Sequence, residues 1–319
     1  MAIIVQCSNP QCKTRMEFPD ELAGEVVSCV KCGAKARLAG RAEGQARAKM
    51  LGDFQLIKKI GQGGMGTVYE ALQVKLKRKV ALKVLSQKFT RDQTFLDRFY
   101  QEAQAAAALN HPNIIQVYDI GEAGGHHFFA MEFVEGEDLG NKINREGKIG
   151  EAEGLNITAQ IATALHYAQK QSIVHRDIKP ENIMLTSDGQ VKLADLGLAK
   201  NISEDNTLTM TGAAMGTPYY MSPEQAEDAK SVDHRTDIYS LGITLLHALT
   251  GKRPFRGDSA YSIVLAHANK PLPTGAELGL PLSEGTDAII KKMCAKDPAD
   301  RYQDYAALLT DIEQGGPQE

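Results

Sequence analysis

Four residues with oxygen or ammonium heads, Asp177, Lys179, Asn182 and Asp195, crowd the stretch Val174–Gly197 at the ends of two short apolar runs. The runs, Ile183–Leu185 and Val191–Leu193, flank Ser187-Asp188-Gly189 and predict a hairpin of paired strands. Polar groups clustered at strand and loop ends are badly placed for core packing and well placed to hold a metal-bound phosphate. Carboxylate and amide oxygens suit magnesium, which keeps its waters and takes only a few protein ligands. A single acid here would be an ordinary loop charge; the set of four is chemically informative.

A second constellation is made of thiols. Four of the five cysteines fall in the first 32 residues, Cys7 and Cys12 with four residues between them and Cys29 and Cys32 with two. Two short-spaced pairs on separate turns can close a tetrahedral zinc site with four thiolate ligands. Gly33, just after Cys32, lets the backbone turn tightly beneath the metal. A segment this small has little core and is expected to be unfolded without its ion. A disordered tail with incidental thiols, or a redox pair, is the alternative that the spacing leaves open.

These groups need elements to position them. Phe54–Ile60 runs into Gly61-Gln62-Gly63-Gly64-Met65-Gly66-Thr67-Val68. A G-x-G-x-x-G also marks dinucleotide folds, but there it opens a helix. Here the following TVYEALQV alternates with strand period, so the glycines are predicted in a hairpin whose N–H groups can approach phosphates with no Cβ in the way. A bare hairpin with flexible glycines is the plainer alternative. In the next strand, Val80–Leu85, period two places Ala81, Lys83 and Leu85 on one face and Val80, Leu82 and Val84 on the other. A lysine inside such a run is costly unless paired with anions. From Asp92 to Leu109 the residues Phe95, Phe99, Ala106 and Leu109 follow helical spacing, and Glu102 falls on the same stripe. A Lys83–Glu102 pair satisfies both charges and leaves Lys83 able to reach a nucleotide's phosphates.

Downstream, Leu155–Gln169 is an apolar-striped helix, and Asp237–Leu249 is apolar on most sides, as a buried helix must be. Between Asp195 and Glu224 lies a polar, hydroxyl-rich segment that reads as a loop ordered by modification. The 319 residues allow one large domain or two. A net charge of −4 gives no electrostatic argument for bulk nucleic-acid or membrane binding. No apolar run approaches the ~18 residues a membrane helix needs. The start, MAIIVQCSNP, is a poor signal peptide, so a cytoplasmic protein is expected. The predicted organisation is a four-cysteine zinc ribbon over 1–40, a linker over 41–52, a catalytic domain over 53–313 and a tail over 314–319.

The order GQGGMG, VALK, a helical glutamate, HRDIKPEN, DLG, GTPYYMSPE and a late arginine resembles the eukaryotic-type protein Ser/Thr kinases, closely their bacterial branch, over about Asp53–Ile312. The first forty residues resemble small zinc ribbons found before bacterial catalytic domains. The resemblance implies an α+β bilobal kinase fold, with a small antiparallel β lobe carrying one helix and a large helical lobe. It implies ATP with Mg2+, or Mn2+ in its place, and structural Zn2+ in the ribbon. By the same resemblance Asp177 positions or accepts the proton of the attacking hydroxyl, Asn182 and Asp195 hold magnesium, and Lys179 contacts the γ-phosphate. Gly61, Gln62, Gly63, Gly64, Met65 and Gly66 cover the phosphates, and Lys83, held by Glu102, grips the α/β pair. Val68 and Ala81 above and Met184 below enclose the base, Met131 backs it, Glu132 and Val134 offer backbone to its edge, and Asp138 reaches the ribose.

Arg176 could pin a phosphate carried by Thr209 or Thr211, the positions that bacterial relatives phosphorylate on themselves. Thr217 and Lys179 favour Ser/Thr hydroxyls over Tyr. Asp237 is expected to accept N–H bonds from the catalytic loop, and Arg301 to pair with Glu224. Implied partners are protein substrates and the chain itself, with a homodimer left open. Leu196 and Ser222 depart from the family's usual Phe and Ala; both are expected to alter packing rather than charge or metal binding, and so to bear on regulation more than on activity. Cys294 is expected to be a buried small hydrophobe. An inert pseudokinase scaffold, and a ribbon that recruits nucleic acid, are the competing readings.

Overall fold

The computed structural model describes residues 2–19, 25–38, 49–63, 66–195, 218–228 and 232–315. Gly64, Met65, Leu196, Thr209, Thr211 and Thr217 lie outside the described residues.

Two hairpins carry the N-terminal thiols. β1 (Ala2–Gln6) pairs antiparallel with β2 (Arg15–Pro19), and β3 (Val26–Ser28) with β4 (Lys35–Arg37). Cys7 and Cys12 sit in the first turn, Cys29 and Cys32 in the second. Each turn needs a left-handed residue, supplied by Lys13 at φ 49° and Gly33 at φ 72°. The Gly33 N–H closes the second turn on Cys29 O at 2.8 Å.

The next layer is a six-stranded antiparallel sheet in the order β5-β6-β7-β8-β10-β9, formed by β5 (Met50–Leu51), β6 (Phe54–Gln62), β7 (Gly66–Gln73), β8 (Arg78–Leu85), β9 (Val117–Ala123) and β10 (His126–Glu132). The glycine run therefore lies in a strand hairpin, as its period predicts. Along β8, Val80 and Leu82 join Phe54, Ala71 and Phe128 in one cluster, while Ala81 and Leu85 join Phe99, Phe129 and Met131 in another. At Gly66 an added Cβ would stand 2.1 Å from Val84 O, so β7 approaches β8 there only as glycine. Helix α1 (Gln93–Ala107) starts at Asp92, whose carboxylate accepts from Thr94 N at 3.0 Å, and buries Phe99, Ala103 and Ala106 on the second face of β8.

The larger lobe begins with β11 (Gly136–Asp138), which forms a small antiparallel sheet with β12 (Ile183–Thr186) and β13 (Val191–Leu193), the hairpin expected from Ser187-Asp188-Gly189. Its helices are α2 (Leu139–Glu146), α3 (Glu151–Lys170), α4 (Pro223–Glu227), α5 (Arg235–Thr250), α6 (Ala260–Asn269), α7 (Glu284–Met293) and α8 (Tyr305–Gly315). α5 is buried almost end to end, which explains why its sequence is apolar on most sides. It stops at Gly251, left-handed at φ 68°, with the Gly251 N–H on His247 O at 2.8 Å. Cys294, at the end of α7, is buried. The α+β architecture implied by the motifs, a sheet lobe with one helix and a helical lobe, is the one observed.

α5 packs on α7 through Gly242, where a Cβ would fall 2.6 Å from Cys294 Sγ and 2.8 Å from Met293 Cβ. Gly242→Ala is expected to cost about 1–3 kcal/mol by overpacking. A urea titration should show a lower midpoint at unchanged slope; an unchanged midpoint would mean that the two helices part freely.

Candidate active site

Lys83 projects from the inner face of β8 into the space beneath α1. Its Nζ lies 3.0 Å from Glu102 Oε1 and 2.9 Å from Asp195 Oδ1. Glu102 is only 5% exposed, so the carboxylate on the apolar stripe of α1 is there to meet this cation. Burial disfavours the charged ammonium, but Asp195 and Glu102 outweigh it and hold Lys83 above its ordinary range. Burial likewise raises the Glu102 carboxyl, against the pull of Lys83. At Asp195 burial again opposes the charge, but there Lys83 outweighs it and lowers the carboxyl.

The opposite half of the site hangs from α5. Asp237, in its first turn, accepts from His175 N at 2.8 Å and Arg176 N at 2.7 Å, as the sequence predicts. Burial pushes the Asp237 carboxyl up to about 7 even though these two N–H groups favour its charged form. His175 is fully buried; its Nδ1 accepts from Asp177 N at 3.3 Å and its Nε2 lies 3.1 Å from Ala194 O. That pattern assigns the ring proton to Nε2. Asp177 Oδ2 takes Lys179 Nζ at 2.9 Å and Asn182 Nδ2 at 3.1 Å, and Asn182 Nδ2 also reaches Asp177 O at 2.8 Å. The Asn182 backbone carbonyl accepts from Ala194 N at 2.8 Å, which ties this loop to the residue before Asp195. Arg176 and Asp195 are left-handed, at φ 66° and 51°. Non-glycine residues in that region cost about 1–3 kcal/mol each, so both segments of the candidate site carry some of the backbone strain, as Lys13, Lys77 and Ser172 do elsewhere.

Between the halves, Val68, Ala81, Met131, Val134 and Met184 belong to one apolar cluster, so the residues assigned to a base are brought together. In the glycine hairpin Gly61 pairs with Val68 and Gln62 with Thr67, and Gly63 N donates to Gly66 O at 2.9 Å. Two assignments carry a structural duty as well. Glu132 donates its N–H to Gln116 O at 2.9 Å and pairs its carboxylate with Lys192 at 2.9 Å, so only its carbonyl could serve a base edge. Asp138 caps α2, accepting from Asn141 N at 2.8 Å.

Beside the catalytic loop, Arg301 meets Glu224 through two parallel bonds of 2.7 and 2.8 Å and gives further bonds to the carbonyls of Arg235, Ala295 and Lys296. Ser222 brings neither charge nor a metal ligand, but its hydroxyl does more than pack. It is fully buried, its Oγ is 2.6 Å from Thr236 Oγ1, and it caps α4 through a reciprocal box with Gln225. Thr236 Oγ1 in turn donates to Glu224 Oε1 at 2.7 Å. The Ser-x-x-Gln spacing of 222–225 was a readable capping signal. Nothing comparable announced His175 as a structural bridge.

At the hairpin tips the four N-terminal thiols lie mutually within 4.8 Å, with Cys7 Sγ 3.5 Å from Cys32 Sγ and Cys12 Sγ 3.8 Å from Cys29 Sγ. Zinc–thiolate bonds of about 2.3 Å put tetrahedral sulfurs roughly 3.8 Å apart, so the donor set fits that ion. Hydrogen bonds from Thr14 lower the Cys12 thiol to about 6, and backbone N–H groups of Lys31 and Cys32 lower Cys29. At Cys7 a bond from Asn9 N is outweighed by burial and the neighbouring thiols, which raise it to about 12.

The protein kinase domain family matches residues 54–311. The chain belongs to that family. It is 40% identical over 265 residues to the serine/threonine-protein kinase PrkC of Bacillus subtilis, covering 83% of this chain and 41% of PrkC. With PknB of Mycobacterium tuberculosis, also named a serine/threonine-protein kinase, identity is 42% over 265 residues, covering 81% of this chain and 42% of PknB. The chain thus spans about two fifths of the length of these relatives. The crystal structure of the Mycobacterium tuberculosis PknI kinase domain superposes with a TM-score of 0.67 at 28% identity, over 85% of this chain and 99% of that one. A structure of Rad53 residues 1–466 in complex with AMP-PNP gives 0.66 at 29% identity, over 81% and 64%. Membership brings ATP and Mg2+ as the family's cofactors. Among the described residues no helix is long and apolar enough to cross a membrane.

The kinase domain's Arg301–Glu224 pair should be visible in acid. Burial raises Glu224, but Arg301 and Thr236 hold it below its ordinary value of 4.5. A depressed folded value adds stability above the unfolded value and loses it as pH falls through the folded one. Arg301→Met is expected to cost about 3 kcal/mol at pH 7, and less toward pH 3 as Glu224 protonates. Denaturant midpoints of the two proteins that coincide at pH 7 would contradict this.

Proposed function

We propose that this chain transfers the γ-phosphate of ATP to Ser/Thr hydroxyls of proteins and activates itself by phosphorylating Thr209 or Thr211. The observation that carries this is the simultaneous closure of four contacts, Lys83 on Glu102 and Asp195, and Asp177 on Lys179 and Asn182. Every polar position that phosphoryl transfer needs is filled and engaged, an arrangement an inert scaffold does not require.

In the proposed reaction the attacking hydroxyl loses its proton toward Asp177, its oxygen bonds to the γ-phosphorus, and the bond to the β-γ bridging oxygen breaks to release ADP. Lys179, which bonds Asp177 Oδ2, is placed to follow the charge of the transferring group. Asn182 uses its NH2 on Asp177, which leaves Oδ1 as a neutral oxygen ligand, and Asp195 adds a carboxylate oxygen beside the one that holds Lys83. This donor set fits magnesium or manganese, which would neutralise phosphate oxygens there. Gly61 and Gly63 let backbone approach the phosphates, and Lys83 orients the α/β pair. Because such a transition state is loose, positioning and electrostatics suffice and no covalent nucleophile is needed. Arg176 Nε is buried with no partner among the described residues, which supports a phosphate on Thr209 or Thr211 as its ligand. The names of the bacterial relatives support Ser/Thr specificity.

The four thiols are proposed to form a structural zinc ribbon over 1–40, ahead of the catalytic domain over 53–313. The carrying observation is the thiol cluster held by two hairpins; among the described residues its apolar surroundings are small, Met16 with Phe18 and Ala34 beside the thiols.

Purified protein with labelled ATP and Mg2+ should label Thr209 or Thr211. Asp177→Asn and Lys83→Met should stay folded and lose the label by about 10²–10³-fold; retained labelling in both would turn the account toward a scaffold with a contaminating activity. Elemental analysis should find one zinc per chain. Chelation should speed amide exchange across 2–38 and leave 54–312 protected, whereas equal protection of 2–38 without metal would contradict a zinc-built ribbon.

A further inference from the structure

The side-chain amide of Gln225 does two jobs at once. Its Oε1 accepts from Ser222 N at 3.1 Å, completing the cap of α4, and its Nε2 donates to Arg176 O at 3.0 Å. The reverse amide orientation would set an oxygen against the Arg176 carbonyl and an NH2 against the Ser222 N–H, so the network fixes the flip.

Arg176 O belongs to the peptide plane that leads into Asp177. The other end of that plane, Asp177 N, donates to His175 Nδ1 at 3.3 Å. The plane is therefore held at both ends, and the Gln225 contact is the shorter of the two. It is also a plane under strain, because Arg176 is left-handed without being glycine. Asp237 fixes the preceding plane through Arg176 N at 2.7 Å, but nothing on α5 reaches the Arg176 carbonyl among the described contacts. α4 itself is anchored by Glu224 on Arg301 and by Ser222 on Thr236.

We propose that Gln225 is a positioning residue for phosphoryl transfer: its amide clamps the Arg176 carbonyl and so sets the direction in which Asp177 leaves the loop. This rests on the reading of the chain as an Asp177-dependent kinase. It makes the placement of α4, the first described helix after the hydroxyl-rich segment, a determinant of the geometry of the catalytic aspartate.

Gln225→Glu separates the two jobs. A glutamate keeps an acceptor for Ser222 N, and suits that capping position, but turns the donor facing Arg176 O into a second acceptor. With Mg-ATP and a peptide substrate at pH 8, kcat should fall about tenfold or more, with KM for Mg-ATP and the melting temperature unchanged. As pH is lowered through about 4.3, the ordinary value of a glutamate carboxyl, the new group takes a proton and can donate again, so the ratio of variant to wild-type kcat should recover there. A ratio near one at pH 8, or a low ratio that stays flat with pH, would overturn the proposal. A second reading needs no activity: amide exchange of the segment 174–178 should be about tenfold faster in the variant at pH 8, and unchanged exchange would also overturn it. If wild-type protein showed no transfer sensitive to Asp177→Asn, the kinase reading would fail, while the exchange measurement would still decide whether Gln225 holds the loop.

Discussion

A lysine ammonium held between two carboxylates, one buried and one open to solvent, is the constraint on which the rest of this molecule depends. Lys83 arrives from the sheet, Glu102 from α1 and Asp195 from the end of the β12–β13 hairpin, so the contact closes only when three separately folded pieces are in register. One cation against two anions leaves the spot net negative, which is unfavourable for a triphosphate by itself and favourable for a divalent cation first. The same electrostatics would favour a metal nucleotide over a bare one, in keeping with the ATP and Mg2+ of the family.

The second half of the account is a platform. α5 is apolar because it is buried, and it presents Asp237 and Thr236 at its start to two irregular segments that could not hold their shape alone. The catalytic loop takes the carboxylate through two backbone N–H groups. The substrate-side segment takes the hydroxyl, and then Arg301, through Ser222 and Glu224. Strained backbone at Arg176 persists because a packed helix and, through α4, a bidentate ion pair stand behind it.

Much of this was legible in the chain. Period two on Val80–Leu85 put Lys83 on the same face as Ala81, and helical spacing put Glu102 on the stripe with Phe99; one cation and one anion on two buried faces then left little choice of partner. Thiol spacing likewise located the two turns that bring Cys7, Cys12, Cys29 and Cys32 together. What stayed hidden was the wiring between distant residues. The left-handed backbone at Arg176 is not announced by glycine or asparagine, His175 and Gln225 bond groups that no local pattern predicts, and Asp138 looks free in sequence while its carboxylate caps α2. The cap that Ser222 makes with Gln225 was legible in its spacing, whereas its bond to Thr236 is not written in its neighbours.

The central claim is that Lys83 and Glu102 act as one unit in phosphoryl transfer, and a double-mutant cycle on kcat/KM tests it most directly. Lys83→Met, Glu102→Gln and the double variant are assayed side by side with Mg-ATP and one peptide. If the pair is a unit, the double variant is no slower than Lys83→Met alone. Losses that multiply would show that the two residues act independently and would contradict the account.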